Sequence, residues 1–187
     1  MKKYLTEQEF ETVRQHLASG EASLVVPRRV SRQFFTRVPV ESIRATTGRF
    51  MLLQKIAIWA GVLAAPLLLV ICIGAVIFYF DWFATLAVPI VGMFWTVIAG
   101  LTGDKGEVWY GVAGLAAGLL FAWLLEPAYA IPLALFSLSL FIHRITYEVA
   151  QIWLTGLVSS SFGAYDMLVE HIELEDGLLP EAEAAGN

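Results

Sequence analysis

Three polar residues beside a long apolar segment are the strongest candidates for chemistry in this sequence. His143, Arg144 and Glu148 follow the apolar residues 127–142. On a helix they fall within about one turn, and Arg144 and Glu148 have the i,i+4 spacing of an ion pair. Ionisable side chains are costly at the edge of a membrane segment, so this pattern indicates gating, proton handling or binding of lipid headgroups. The structural alternative is a helix end held at the membrane edge by a snorkelling arginine and one ion pair.

The remaining polar groups give weaker signals for catalysis or metal binding. Glu170, His171 and Glu173 have the composition of metal ligands, but their side chains would point around a helix, and no second histidine lies four residues away. Asp104 and Glu107 flank a turn and are expected to be solvated. The sequence contains no nucleophile elbow, phosphate-binding loop or dinucleotide fingerprint. We therefore predict a protein that is not an enzyme and holds neither metal nor cofactor.

The composition places these residues in a membrane protein. Of 187 residues, 58% are hydrophobic and 16% are charged, whereas an ordinary soluble domain has about 25% charged residues. The mean hydropathy is +0.68. Fifteen charged residues lie in 1–55, five in 56–142 and nine in 143–187. The only cysteine, Cys72, lies inside an apolar segment, which excludes a disulfide framework.

The central segment 56–142 contains four apolar blocks without charge. A helix needs about 20 residues to cross a bilayer, within a range of roughly 17–25. Three blocks are long enough, and the fourth spans only if its helix continues past Arg144. Short links make neighbouring spans antiparallel. We predict an all-α integral membrane protein with a four-transmembrane-helix antiparallel bundle over residues 56–80, 82–103, 108–125 and 127–142.

The distribution of basic residues predicts the orientation of this bundle. Ten of the twelve lysines and arginines precede the first span, and basic segments stay on the cytoplasmic side. Four crossings return the C-terminus to the same side, so we expect a multi-pass protein of the cell inner (plasma) membrane with both termini cytoplasmic. The alternative is a fifth span at 149–169, which would include Gln151 and Asp166 and place the acidic end outside.

Small residues recur along the third predicted span. They lie three or four residues apart, a spacing that lets transmembrane helices approach closely. This stripe predicts helix packing, either within one chain or between copies in a homo-oligomer. Its members are Gly111, Gly114, Gly118 and Ala122.

The N-terminal region, residues 1–55, is basic and is expected to be cytoplasmic. Thr6 and Glu9 form a capping-box pattern and Gly20 provides a stop, which predicts a helix over 7–18. Residues 23–55 are predicted to be an interfacial arm that contacts anionic lipid headgroups or a soluble partner protein. Nucleic acid is disfavoured because the chain carries a net charge of −5. The candidate binding residues are Arg28, Arg29, Arg32, Phe34, Phe35 and Arg37.

The C-terminal region is acidic, in contrast to the N-terminal region. Apolar residues recur with a helical period from Ile145 to Ile172, which predicts a cytoplasmic amphipathic helix over 143–176. A serine run at Ser159–Ser161 predicts a kink. Residues 177–187 are predicted to be a disordered acidic tail.

Three functions remain open at this point. The first is a non-enzymatic membrane scaffold or sensor subunit that homo-oligomerises and recruits a cytoplasmic partner protein through its charged ends. The second is a small homo-oligomeric ion channel or pore that is gated by the proline-containing spans and the His143 cluster. The third is an interfacial lipid-modifying enzyme, which would require Glu148, Asp166 and His171 to converge.

Overall fold

Long helices dominate the chain. The computed structural model describes residues 4–87, 90 and 108–176, with side chains described at 4–87, 90 and 112–172. Within these ranges the protein is mostly helical. The chain divides into two units: residues 56–149, here called the central unit, and the two flanking segments 1–55 and 150–187, here called the terminal unit.

The first helix of the terminal unit confirms the prediction from its caps. Helix α1 spans Glu7–Ser19. The Thr6 backbone N–H donates to the Glu9 carboxylate at 2.7 Å, and the Glu9 N–H donates to the Thr6 hydroxyl at 3.4 Å. The helix ends at Gly20, whose φ of +79° is in the left-handed region that glycine adopts readily.

A two-stranded antiparallel sheet joins the two ends of the chain. Strand β1, Ala22–Val25, pairs with β2, Glu173–Asp176, so segments about 150 residues apart lie side by side. The sequence did not indicate this sheet, and the predicted kinked helix over 143–176 is wrong at its C-terminal end, where residues 173–176 form β2. The physical reason is the period, since residues 172–175 alternate apolar and acidic side chains, which is a strand pattern and not a helical one.

The predicted interfacial arm is a folded segment with two helices. Helix α2 spans Arg28–Arg37 and α3 spans Val40–Thr47. A proline precedes each of them, and its fixed φ suits a helix start. Later in the chain, α7 spans Phe162–Leu168 and a 3₁₀ turn covers Val169–His171.

Aromatic rings form much of the core of the terminal unit. Phe10 packs against Phe162 and Tyr165, with ring centroids 5.7 and 5.2 Å apart, and Phe35 packs edge-on against Trp153 at 6.3 Å. Burial raises the pKa of the Tyr165 hydroxyl above its ordinary value near 10. N-terminal and C-terminal segments therefore share one hydrophobic core.

The central unit contains the long apolar helices. Helix α4, Leu52–Tyr79, has 28 residues and α6, Pro127–Val158, has 32 residues; both are long and apolar enough to cross a membrane. Helix α5, Val108–Leu124, is shorter, and a 3₁₀ turn covers Phe83–Leu86. The predicted continuation of the helix that begins at residue 127 past Arg144 is confirmed. Most of the predicted span 82–103 lies outside the described residues.

Within the central unit, α4 and α6 are antiparallel neighbours. Residues later in α4 contact residues earlier in α6. Both helices contain an internal proline. Helix α5 packs on α6 where Gly118 lies against Ser137. The α4–α6 contacts are Gly61 with Thr146, the Ser139 hydroxyl donating to the Ala65 carbonyl, the Cys72 thiol donating to the Pro132 carbonyl, and Phe80 with Tyr129.

Candidate functional site

Helix α6 carries buried polar side chains in an otherwise apolar unit. Helical geometry places Ser137, Arg144 and Glu148 on one face, here called the buried polar row, and Ser139 and Thr146 on the opposite face. Ser139 donates a hydrogen bond of 2.7 Å to the Ala65 carbonyl on α4, and interhelical bonds of this kind hold membrane helices together. Thr146 donates to the Ile142 carbonyl of its own helix at 2.6 Å.

Arg144 and Glu148 form a buried ion pair within this row. The Arg144 Nη2 and Glu148 Oε1 atoms are 3.8 Å apart, and each side chain is only 6% exposed. At this distance the contact is mainly electrostatic, because a strong charge-assisted hydrogen bond is shorter than about 3 Å. Two charges in an apolar setting depend strongly on one another, since removal of one leaves the other uncompensated.

His143 differs from the other two members of the predicted cluster in its exposure. Its ring is exposed and packs edge-on against Tyr147, with centroids 5.1 Å apart. Arg144 and Glu148 are buried instead. The structure therefore divides the predicted set into a buried pair and an exposed histidine with an aromatic neighbour.

The predicted lipid-binding or partner-binding residues of α2 fall into two groups. Phe34 and Phe35 are 3% and 0% exposed, so both rings belong to the core of the terminal unit and are not available at its surface. Arg29 and Arg37 are exposed. The two further basic residues, Arg28 and Arg32, are half-buried. An amphipathic helix with aromatic residues on one face and arginines on the other explains this division.

A hydrogen-bond network that the sequence did not suggest fastens α2 to the end of α6 in the terminal unit. The Gln151 side-chain amide donates to the Val26 carbonyl at 2.8 Å and accepts from the Arg28 Nε at 3.2 Å. A separate bond ties the end of α2 to the start of α4, where Lys55 Nζ donates to the Val38 carbonyl at 2.6 Å. Polar side chains spaced about 17 to 125 residues from their partners give no local signal, so sequence patterns alone cannot find them.

The alternative of a fifth span is corrected by the structure. Helix α6 ends at Val158, and α7 begins only at Phe162, so residues 149–169 do not form one helix. Gln151, which the span would have placed in lipid, instead bonds to Val26 in the terminal unit. The serine run at Ser159–Ser161 breaks the helix because serine side chains bond to nearby backbone groups.

The predicted groups for metal binding or enzymatic chemistry do not form a site in the described part of the chain. Asp166 and His171 are exposed on the terminal unit, whereas Glu148 is buried in the central unit. No group of three metal-ligating side chains occurs among the described residues. Asp104 and Glu107 lie outside them.

Two members of the small-residue stripe are buried within a single chain. Gly118 lies against Ser137 with no space for a β-carbon, and Ala122 is also buried. Gly114 is half-buried, and the surroundings of Gly111 lie outside the side-chain description. The stripe therefore serves the packing of α5 on α6 at Gly118.

Comparison with protein families, curated proteins and solved structures gives no match to this chain. Three features of the structure bear on function: the exposed apolar helices, the pairing of β1 with β2, and the buried polar row.

Proposed function

We propose that this protein is a non-enzymatic scaffold or sensor subunit of the inner membrane that recruits a soluble cytoplasmic protein. It is a multi-pass protein with a four-span bundle, homo-oligomeric, with both termini cytoplasmic. The observation that carries this proposal is the pairing of β1 with β2, because it builds one folded unit from the two ends of the chain.

Membrane placement of the central unit is supported by the exposure of its apolar helices. Only 17% of the most apolar window of α4 and 28% of that of α6 is buried. The core helix of a soluble protein would be mostly buried, and large exposed apolar surfaces mark contact with another apolar phase. Exposed side chains on α4 include Leu63, Leu67, Val70, Ile71 and Phe78.

The joined ends support an even number of crossings. Residues 22–25 can pair with residues 173–176 only if both segments lie on the same side of the membrane. The positive-inside rule assigns that side to the cytoplasm, since basic residues are concentrated before α4. A fold with both ends in one compartment supplies a surface that the two terminal segments build together.

The exposed arginines of α2 are the proposed contact for the partner. Arg29 and Arg37 are exposed, while the aromatic residues behind them are buried and hold the helix in place. A rigid helix that presents positive charge suits an acidic surface, and anionic lipid headgroups compete for the same charges.

The test compares charge reversal at these positions with charge reversal elsewhere. The full chain is purified in gentle detergent with a quantitative census of co-purifying cytoplasmic proteins. We expect Arg29→Glu combined with Arg37→Glu to lose the partner, whereas Arg49→Glu, also exposed and basic but outside α2, keeps it. Equal recovery from all three proteins, or no partner from any, contradicts recruitment by α2.

A second candidate function, a small oligomeric channel, is favoured by one observation. The Ser137 hydroxyl is buried and has no hydrogen-bond partner among the described residues, and it shares one face of α6 with Arg144 and Glu148. A polar row of this kind can line a conduction path. Ion flux through protein-containing liposomes tests it, and liposomes that pass no ions at any voltage or pH exclude it.

A further inference from the structure

A partly open apolar cavity of about 370 Å³ lies in the central unit. Its described walls come from the second half of α4, the 3₁₀ turn at Phe83–Leu86 with Ala87, Leu125 after α5, and the first half of α6. Cys72, Val76 and Phe80 recur every four residues and form one wall. On α6, Tyr129 and Phe136 belong to the opposite wall.

The two helices that form these walls are held at fixed contacts, so the cavity is a built feature. Phe80 and Tyr129 meet with ring centroids 5.0 Å apart, and the Cys72 thiol donates to the Pro132 carbonyl at 3.2 Å. These contacts hold α6 against α4 at both ends of the stretch from Cys72 to Phe80. Ala84 and Ala87 contribute small side chains to the lining, which leaves the volume between the helices open.

The lining indicates the chemistry of an occupant. A buried water requires two to four polar partners. In the part of the chain that the structure describes, the lining side chains offer only the Cys72 thiol, which already bonds to Pro132, and the Tyr129 hydroxyl. A polar ligand would lose its hydrogen bonds here, at a cost that apolar contacts do not offset. The site therefore suits a hydrocarbon.

The volume of the cavity, about 370 Å³, indicates the size of an occupant. It lies within the range of small-ligand pockets, about 300–1,000 Å³. Exposed apolar side chains on the outer face of α4 place hydrocarbon next to this unit in a membrane.

We propose that this cavity binds one long hydrocarbon chain, supplied by a membrane phospholipid or by a free long-chain fatty acid. The proposal rests on the membrane placement of the central unit and not on partner recruitment. A bound chain would fill the space between α4 and α6 and thereby couple the spacing of these helices to the lipid that is present.

The test uses the full chain in nanodiscs of phosphatidylethanolamine and phosphatidylglycerol. One arm contains phosphatidylethanolamine with a diazirine on one acyl chain, and the other contains a long-chain fatty acid with the same group. After irradiation, cross-linked positions are mapped by mass spectrometry. We expect labelling of residues 72–80 and 129–136 that saturates with probe and is displaced by the unlabelled compound.

The probe whose labelling saturates, phospholipid or free fatty acid, identifies the source of the hydrocarbon chain. A cavity-filling substitution, Ala84→Phe, should lower this labelling about tenfold or more, the change that displacement of one or two methylene groups produces. Ala60→Phe adds the same ring at an exposed position of α4 outside the lining and should leave it unchanged. If Ala84→Phe does not fold, displacement in the wild-type protein still decides the question.

Non-saturable labelling spread evenly over the exposed faces of α4, unaffected by competitor, overturns the proposal. If the protein does not enter nanodiscs, membrane placement is refuted, and the proposed function with it. If the protein enters nanodiscs but neither probe labels it saturably, only the hydrocarbon site is refuted.

Discussion

Gly61 on α4 lies so close to Thr146 on α6 that a β-carbon at position 61 would collide with the threonine side chain. This contact lies one turn from the Ser139 to Ala65 hydrogen bond. The absence of a side chain at position 61 thus determines how closely the two long helices approach.

Gly61→Ala is expected to destabilise the central unit by about 1–3 kcal/mol, the cost of overpacking a well-packed contact. The measurement is thermal unfolding of the purified protein in detergent. Gly74→Ala is the matched control on the same helix, because a β-carbon at position 74 meets nothing within 4 Å. Equal loss of stability in both variants would show that Gly61 does not limit the approach of α4 and α6.

The buried ion pair makes a prediction about charge compensation. Arg144→Met or Glu148→Leu alone should cost about 3–5 kcal/mol, since each removes one partner of a buried ion pair. The double variant should be more stable than either single variant. Chemical denaturation in detergent gives the coupling energy, and simple addition of the two losses would mean that the pair is not energetically linked.

Tyr165 makes a prediction about pH. Burial raises the pKa of its hydroxyl in the folded state, so the unfolded chain releases this proton first as pH rises. Stability is therefore unaffected well below the unfolded pKa near 10 and falls as pH rises through it. Melting temperatures of the wild type between neutral and alkaline pH should show this fall.

Tyr165→Phe should remove that part of the alkaline loss. Tyr4→Phe, at an exposed ring, is the control and should retain it. An alkaline loss of the same size in Tyr165→Phe and in the wild type would assign the effect to other groups.

The proposed topology predicts which positions an impermeant thiol reagent can reach. In a Cys72→Ala background, cysteines at the exposed positions Gln15 and Asp166 should be protected in intact cells and labelled after permeabilisation. A cysteine at Glu126 should be labelled in intact cells. If the cysteines at Gln15 and Asp166 are reached from opposite faces of the membrane, the two ends do not share a compartment. The proposed recruitment by the terminal unit is then wrong.

Local patterns in the sequence predicted the helices well. The capping residues Thr6 and Glu9 and the stop at Gly20 placed α1 to within one residue. The uncharged block 56–80 predicted α4. The length that a bilayer crossing requires predicted correctly that α6 continues past Arg144. These features depend on residues a few positions apart, which a sequence displays directly.

Features that depend on distant residues were not predictable. The aromatic residues Phe34 and Phe35 have the composition of a lipid-inserting arm, but the C-terminal segment supplies Trp153 and thereby a core for Phe35. The alternating residues 172–176 form a strand because β1 offers a partner from the other end of the chain. The buried position of Arg144 and the exposed position of His143 follow from tertiary packing around α6 and not from their order in the chain.

The pairing of β1 with β2 imposes an order on biosynthesis. Residues 22–25 leave the ribosome early, yet their strand partner is made only after the long helices α4 and α6 have been synthesised. The N-terminal segment must therefore wait with its core incomplete, exposed to proteases and chaperones, until the last segment arrives. The sheet can close only after residues 173–176 have been made, so a chain truncated before them lacks β2.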